Sequence, residues 1–131
     1  MADPKICVLV LNWNGADDTI DCIHSLKKVT YNHAEIVVID NGSTDDSVSR
    51  IKKQYGDVII IEIESNLFFG GGNNVGLDWA QKHDFDYVVF LNNDTTVEPD
   101  FLEPLLAGFE HPQNVGMVAP LMCYSASPDL V

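Results

Sequence analysis

Tyr87-Val88-Val89-Phe90-Leu91-Asn92-Asn93-Asp94-Thr95-Thr96 joins the most apolar run of the chain to a polar corner. The five apolar residues, with β-branched and aromatic side chains, predict a central strand buried on both faces of a sheet. Ligands of open α/β sheets bind just beyond the carboxyl ends of the strands. Asp94 is therefore a candidate metal- or substrate-binding residue, and the alternative is that it only caps a turn.

Length and composition indicate one globular domain that spans residues 1–131. A chain of this size buries roughly two thirds of its unfolded surface, and 46% of its residues are hydrophobic. No apolar run approaches the ~20 residues of a membrane span, and the first residues do not resemble a signal peptide. We therefore expect a cytoplasmic protein with no direct membrane span. The three cysteines are too scattered for a disulfide framework or a zinc site, and we expect Cys7 in the core.

The formal charge of -13 restricts the possible partners. Nucleic acid and anionic membranes both require basic patches, so the charge argues against either as a partner. It also opposes a phosphate-bearing ligand, because like charges ~4 Å apart repel by ~4 kcal/mol at an effective dielectric of ~20. A diphosphate approaching this chain needs a cation to bridge it.

Strand-like and helical patterns alternate along the chain. The other strand-like runs are Lys5 to Leu11, Glu35 to Asp40, Val58 to Ile63 and a short last one, Val115 to Ala119. Helical patterns are Ala16 to Lys28, a segment with Val48, Ile51 and Tyr55 that Ser43 or Thr44 can cap, a segment ending near Lys82, and one opened by Pro99. This alternation predicts a three-layer α/β/α fold with a mostly parallel central sheet and helices on both faces.

Polar residues cluster where four of the strand-like runs end. The clusters are Asn12 to Gly15, Asp40 to Asp45, the loop with Asn66 to Asn74, and Asn92 to Thr96. If the parallel connections keep their usual right hand, all four clusters open on the same edge of the sheet. Each cluster alone is explained by turn chemistry, since Asn, Asp, Gly and Ser are what turns are made of. Their convergence favours a ligand site.

The glycine run from Gly70 to Gly76 is interpreted as part of a loop that precedes a helix. It does not form the glycine pattern of dinucleotide-binding proteins, and it lacks the Gly-Lys-Ser/Thr of a P-loop. Consecutive glycines would allow a ligand to approach the backbone closely, next to the free N–H groups of a helix start. A flexible loop without a binding role is the alternative.

Four ordered motifs resemble the donor half of the family 2 glycosyltransferases, most closely the rhamnosyltransferase-like branch. They are Val-Leu-Asn-Trp-Asn-Gly (Val10 to Gly15), Val-Val-Ile-Asp-Asn-Gly-Ser-Thr-Asp (Val37 to Asp45), Asn-Leu-Phe-Phe-Gly-Gly-Gly-Asn-Asn-Val-Gly (Asn66 to Gly76) and Phe-Leu-Asn-Asn-Asp-Thr (Phe90 to Thr95). The resemblance implies a GT-A fold, a nucleotide-diphosphate sugar as donor, and inverting transfer of the sugar to an acceptor hydroxyl.

The resemblance also implies roles for individual residues. Asp40 would hydrogen-bond a pyrimidine base, which suggests a UDP- or dTDP-linked donor, and Asn73 would lie near the ribose or the diphosphate. Asn92 stands where the family has the first acid of Asp-x-Asp, so Asp94 is the only carboxylate of the motif and would hold Mg²⁺ or Mn²⁺. The other expected donor-site residues are Asn12, Trp13 and Asn14, which would line the base and ribose pocket, with Asn41, Ser43, Gly71 and Asn93.

Relatives of this kind continue into an acceptor-binding region with a catalytic carboxylate, which we expect beyond Val131. Asp129 is the only acid after Pro120, and we interpret it as a solvated tail residue. The chain is thus expected to be the N-terminal, donor-binding part of a longer transferase. Its acceptor would be a saccharide or a lipid-linked saccharide, the latter placing it at the inner face of a membrane. Two alternatives are a non-catalytic nucleotide-sugar-binding or interaction domain, and a nucleotidyltransferase, which the absence of a basic loop near Asn12 disfavours.

Overall fold

The computed structural model describes residues 3–110 and 114–127, so that Asp129 lies outside the described residues. Within these ranges strands and helices alternate along the chain. They are β1 (Ile6–Asn12), α1 (Ala16–Leu26), β2 (Ala34–Asp40), α2 (Ser47–Gln54), β3 (Ile59–Glu62), α3 (Phe68–Gln81), β4 (Tyr87–Asn92) and α4 (Leu102–Phe109).

The strands form one parallel sheet in the order β3-β2-β1-β4. The register places Asn12 of β1 opposite Asp40 of β2, and Leu11 of β1 opposite Asn92 of β4. The carboxyl ends of the strands therefore meet at one edge, as predicted, and the polar residues that follow them are brought together.

Helices cover both faces of the sheet, which confirms the three-layer α/β/α prediction. On one face, Ile6, Val8 and Val10 of β1 pack with buried residues of α1, α2 and α4. On the other face, Cys7 and Leu9 pack with Ala80 of α3. All five of these β1 side chains are at most 1% exposed, so β1 is the strand buried on both faces. Burial of a large aliphatic side chain stabilises the fold by roughly 1.5–3 kcal/mol.

The prediction that Tyr87 to Leu91 forms a central strand is wrong. Within the described residues β4 pairs with β1 alone and lies at the edge of the sheet. None of its side chains is fully buried, and Phe90 is 50% exposed. An apolar run on both faces of a strand indicates that the strand favours burial, but it does not say how many neighbours the strand has.

The glycine-rich segment was predicted to be a loop, but α3 begins at Phe68 and most of the segment is helical. Gly72 and Gly76 lie one turn apart, and both face the sheet. A Cβ atom on Gly72 would lie 2.5 Å from Leu11 Cδ1, and one on Gly76 would lie 2.9 Å from both methyl groups of Leu9. Glycine costs ~1 kcal/mol in a helix relative to alanine, and here it permits close packing of α3 on β1.

Three other boundaries differ from the predictions. Helix α2 begins at Ser47, beyond the proposed caps Ser43 and Thr44, and has no acid in its first turn. Ser43 does not cap it, because its hydroxyl is bonded to Asp40 instead. Helix α4 begins at Leu102, after a turn that follows Pro99. Residues 115–119 form no strand, since this short apolar run has no strand beside it within the described residues, and Met117 is 84% exposed.

Candidate functional site

Buried polar side chains occupy the carboxyl ends of β1 and β2. Asn12 and Asp40 are at most 3% exposed, and Asn12 Nδ2 donates to Asp40 Oδ1 at 2.8 Å. The Ser43 hydroxyl donates to the same oxygen at 2.6 Å, and the Ser43 N–H donates to Asp40 Oδ2 at 3.0 Å. These three donors compensate the desolvation of the carboxylate. The remaining acceptor capacity of Asp40 is mostly on Oδ2.

Asn14 ties the turn after β1 to the loop after β2. Its N–H donates to the Ser43 hydroxyl at 2.9 Å, and its Oδ1 accepts from the N–H of Thr44 at 2.8 Å. Its φ of 50° lies in the left-handed region, which asparagine tolerates better than most residues. Asn14 thus holds Ser43 against Asp40 and fixes the shape of this corner.

Asn41 anchors the start of α3. Its Oδ1 accepts from the N–H of Leu67 at 2.9 Å, while its Nδ2 donates to Asn66 Oδ1 at 2.9 Å and to the Phe68 carbonyl at 3.1 Å. The side chain is 2% exposed. Asn41 therefore acts on the site by positioning residues 66–68 at the start of α3, and a direct contact with a ligand stays a prediction.

Thr19 and Asn93 form a second connection, between α1 and the loop after β4. The Thr19 hydroxyl, which is fully buried, donates to Asn12 Oδ1 at 2.7 Å and accepts from Asn93 Nδ2 at 3.1 Å. Sequence reasoning missed Thr19. The signal was present, because Thr19 is a polar residue in the buried stripe that Ala16 and Cys22 continue along α1.

An open cleft of about 360 Å³ lies beside this network, between the ends of β1 and β4. We call it the β1–β4 cleft, and its lining residues are Leu11, Trp13, Phe69, Asn92, Asn93 and Asp94. Three of these, Trp13, Asn93 and Asp94, were predicted as site residues. Phe69 was not, because an aromatic residue beside glycines gives no polar signal. Trp13 is 55% and Phe69 62% exposed, so both offer aromatic surface to a ligand.

Asp94 is suited to bind a hard cation together with a ligand. It is exposed in the β1–β4 cleft, and no hydrogen bond among the described residues engages its carboxylate. Residues 3–110 and 114–127 contain no cluster of three or more acidic, His or Cys side chains that could hold an ion alone. Mg²⁺ is commonly bound by one or two carboxylates, substrate phosphates and water. The residues present fit that mode of binding.

The cleft carries no positive charge. None of the 7 Lys and Arg residues of the chain lines it. Arg50, in the nearby helix α2, forms an ion pair with the exposed Asp17. A diphosphate in the β1–β4 cleft would therefore lie beside Asp94 without a protein cation to neutralise it.

The two remaining predicted residues lie on α3, away from the lining of the cleft. Asn73 is 7% exposed, and its Nδ2 donates to the Phe69 carbonyl at 3.0 Å. A Cβ atom on Gly71 would lie 2.7 Å from Leu67 Cβ. The geometry gives both residues packing roles, and their proposed contacts with a nucleotide sugar stay predictions.

The buried thiols take no part in the site. Cys22 lies below it, and its Sγ approaches the Asn92 carbonyl at 3.9 Å. Burial, together with the negative charge of Asp94, raises the pKa of Cys22 to about 12. Burial and the charge of Glu35 do the same for the pKa of Cys7. Both thiols are therefore protonated and unreactive near neutral pH.

A larger cavity of about 620 Å³ lies at the opposite, amino-terminal edge of the sheet. Lys5, Lys27, His33 and Phe85 are among its lining residues, and none of the predicted site residues is. In α/β sheets the ligand edge is the carboxyl one, so we place the functional site in the β1–β4 cleft. Among the described residues, no helix has the length and apolar character needed to cross a membrane.

Known proteins with similar sequences are enzymes of sugar transfer. The chain is 28% identical over 115 residues to the poly-beta-1,6-N-acetyl-D-glucosamine synthase of Staphylococcus aureus, which is 86% of this chain and 27% of the synthase. It is 33% identical over 109 residues to the glycosyltransferase GlyA of Streptococcus pneumoniae, which is 80% of this chain and 15% of that protein.

Solved structures show the same fold. S. aureus TarS 1-349 in complex with UDP-GlcNAc matches with a TM-score of 0.70 and 25% identity, over 81% of this chain and 31% of the TarS 1-349 chain. The mannosyltransferase PcManGT from Pyrobaculum calidifontis, in complex with GDP-Man and Mn²⁺, matches with a TM-score of 0.66 and 21% identity, over 86% of this chain and 34% of its own. These likenesses show that the fold is GT-A-like.

The chain spans about a third or less of the length of each of these proteins. The profile of Glycosyl transferase family 2 matches residues 7–130, which is nearly the whole of this sequence. The chain therefore belongs to glycosyl transferase family 2.

Proposed function

We propose that this chain is the donor-binding part of an inverting glycosyltransferase, and that it holds a nucleotide-diphosphate sugar in the β1–β4 cleft. The observation that carries the proposal is the position of Asp94. It is an exposed, unengaged carboxylate at the end of a strand, in a cleft with two exposed aromatic side chains. The family membership indicates sugar transfer, and this geometry indicates where the donor lies.

The aromatic and the acidic residues of the site suggest separate roles in binding the donor. Trp13 and Phe69 supply flat apolar surface, against which a base or a sugar ring can stack. Asp40 retains acceptor capacity for a ring N–H of the base, and its other bonds hold it in place. Asp94 and the two phosphates would hold Mg²⁺ or Mn²⁺, which neutralises the charge that builds on the departing diphosphate.

A uridine diphosphate sugar is the donor that we favour. The synthase with 28% identity is named for an N-acetylglucosamine polymer, and TarS, with 25% identity, was solved with UDP-GlcNAc. The narrower rhamnosyltransferase-like assignment has no such support and stays a prediction. The family match also favours sugar transfer over the nucleotidyltransferase alternative. Acceptor and catalytic base are proposed to belong to the rest of a longer enzyme.

The test is calorimetric titration of the chain with UDP, dTDP and GDP, each with and without Mn²⁺. We expect UDP to bind more tightly than GDP, and only in the presence of the metal. Asp94→Asn should weaken UDP binding at least tenfold, because hydrogen bonds and contacts with charged groups are worth ~1.5–3 kcal/mol.

Asp78→Asn is the matched control, since it removes one negative charge from an exposed position on α3 outside the cleft. It should leave the affinity for UDP within about twofold, because a distant surface charge is largely screened by salt. Equal affinity of wild type and Asp94→Asn for UDP in Mn²⁺ would remove Asp94 from the metal site. Absence of any nucleotide binding would contradict the proposed function itself.

A further inference from the structure

Three hydrogen bonds of the site form one directed series, which runs from the loop after β4 through α1 and β1 to β2. Asn93 Nδ2 donates to the Thr19 hydroxyl at 3.1 Å, that hydroxyl donates to Asn12 Oδ1 at 2.7 Å, and Asn12 Nδ2 donates to Asp40 Oδ1 at 2.8 Å. Every donor points towards the Asp40 carboxylate. Hydrogen bonds in such a series polarise one another, and the buried charge at the end gives the series its direction.

Thr19 is the residue that connects Asn93 to Asn12 in this series of hydrogen bonds. Its side chain is fully buried, and it serves as acceptor for Asn93 and as donor for Asn12. Without the hydroxyl, Asn12 Oδ1 would lose this buried donor. Asn93 Nδ2 would keep only its longer contact of 3.5 Å to the Gly15 carbonyl. Asn93 directly precedes Asp94, so a shift of Asn93 moves the carboxylate that we assign to the metal.

Gly15 also restricts the position of the Asn93 side chain. A Cβ atom on Gly15 would lie 2.9 Å from Asn93 Nδ2, so the lack of a side chain at this position makes room for the amide. Two unrelated features of α1 and its entry turn therefore converge on Asn93. Both restrict where the Asn93 side chain can lie.

We propose that Thr19 is a positioning residue, whose buried hydroxyl fixes the Asn93–Asp94 loop relative to Asn12 and Asp40. It thereby sets the separation between Asp40, which we assign to the base, and Asp94, which we assign to the metal. The inference rests on the proposed function for its effect on ligand affinity. The geometric part, that Thr19 positions Asn93 and Asp94, is independent of any ligand.

The experiment compares Thr19→Val, which keeps the shape but removes the hydroxyl, with Thr19→Ser, which keeps the hydroxyl. Titration with UDP in Mn²⁺ should show an affinity about tenfold lower for Thr19→Val, because the buried Asn12 Oδ1 loses a donor and the partly buried Asn93 Nδ2 loses its shorter acceptor. Thr19→Ser should stay within about twofold of wild type. Thr30→Val is the control, since it removes an exposed hydroxyl that is also hydrogen-bonded, but to Pro99 and Glu103.

A second measurement uses the metal-free chain. In ¹H–¹⁵N spectra, Thr19→Val should shift the side-chain amide signals of Asn93 and the backbone amide of Asp94, and Thr19→Ser should restore both. Gly15→Ala should shift the same signals while leaving the Thr19 hydroxyl in place, which provides a second variant should Thr19→Val fold poorly.

The outcomes separate this inference from the proposed function. If wild type binds UDP and a folded Thr19→Val binds it equally well, Thr19 has only a structural role and the inference is overturned. Unshifted Asn93 and Asp94 signals in both Thr19→Val and Gly15→Ala overturn it as well. If wild type fails to bind UDP at all, the proposed function fails, and the spectra still decide whether Thr19 positions the loop.

Discussion

Replacing Gly76 with alanine tests how closely α3 packs on the sheet. The added Cβ would lie 2.9 Å from Leu9 Cδ1 and Cδ2 and 3.0 Å from Ile39 Cδ1. Both neighbours are fully buried in the core on this face, so neither can move away freely. Overpacking of a buried site costs ~1–3 kcal/mol. The higher helix propensity of alanine offsets ~0.5–1 kcal/mol of that cost.

Gly70→Ala on the same helix is the matched control, because a Cβ atom there meets nothing within 4 Å. Both substitutions gain helix propensity and only Gly76→Ala has the steric cost, so the difference between the two variants reports mainly the packing term. We expect Gly76→Ala to unfold with a free energy ~1–3 kcal/mol lower than Gly70→Ala.

Urea unfolding followed by circular dichroism measures this difference, provided that both variants show the same dependence on urea. Equal unfolding free energies for the two variants would refute the reasoning. That result would mean that α3 lies farther from β1 and β2 than the structure shows, and that the glycines of α3 are not needed for packing.

The other predictions concern strain, thiols and ligand recognition. Phe68→Gly should raise the free energy of unfolding by up to ~1 kcal/mol in urea unfolding. Phe68 is 80% exposed, and its φ of 60° costs a residue with a side chain ~1–2 kcal/mol. A loss of stability would show that the side chain is needed for packing. Of the three cysteines, only the exposed Cys123 should react with a thiol reagent at pH 8, and Cys7 and Cys22 should react only after unfolding. Because the pKa values of these two thiols are raised from 9.0 to about 12, the unfolded chain releases their protons at lower pH than the native chain. Stability should therefore be unaffected by these thiols below pH 9 and fall as the pH rises above it, which unfolding at a series of pH values measures; a stability that rises above pH 9 would contradict this. UDP methylated at N3 of the base should bind at least tenfold more weakly than UDP if Asp40 accepts the ring N–H, and equal binding would leave Asp40 a loop-forming role alone. Mass spectrometry of the chain with nucleotide sugars and an acceptor panel should detect no acceptor-dependent turnover near ~1 s⁻¹, an ordinary enzyme rate; such turnover would contradict the proposal that acceptor and base lie in the rest of a longer enzyme.

Local patterns were sufficient for most of the elements. The apolar run from Lys5 to Leu11 predicted β1, and the three-residue spacing of Ile20, Ile23 and Leu26 predicted α1, because both signals reside in neighbouring residues. The glycines of α3 led to the wrong prediction of a loop. Their low helix propensity is a local signal, whereas the close packing that overrides it involves residues distant in the chain. The strand predicted at residues 115–119 is absent for a similar reason. An apolar run forms a strand only when another strand lies beside it.

The residues of the candidate site also fall into two groups, those that local patterns predicted and those that they did not. The predicted residues Asn12, Asp40 and Asn93 do meet at one edge of the sheet, because each follows or ends a parallel strand. Thr19 was missed because it lies inside a helix and not after a strand, and Phe69 was missed because it is apolar, although it lies in the Asn66 to Asn74 cluster. They enter the site because α1 and α3 bring them there.

The sequence by itself determined the alternation of strands and helices, the side chains that follow each strand, and the acidic character that requires a cation beside a diphosphate. Only the packing of distant segments determines that β4 lies at the edge beside β1 within the described residues, and that Thr19 joins Asn12 to Asn93. The physical reason is distance along the chain. The bonds from Asn12 to Asp40 and from Asn93 to Thr19 span 28 and 74 residues, so no local pattern encodes them. They form only when the packed sheet brings these residues within hydrogen-bonding distance.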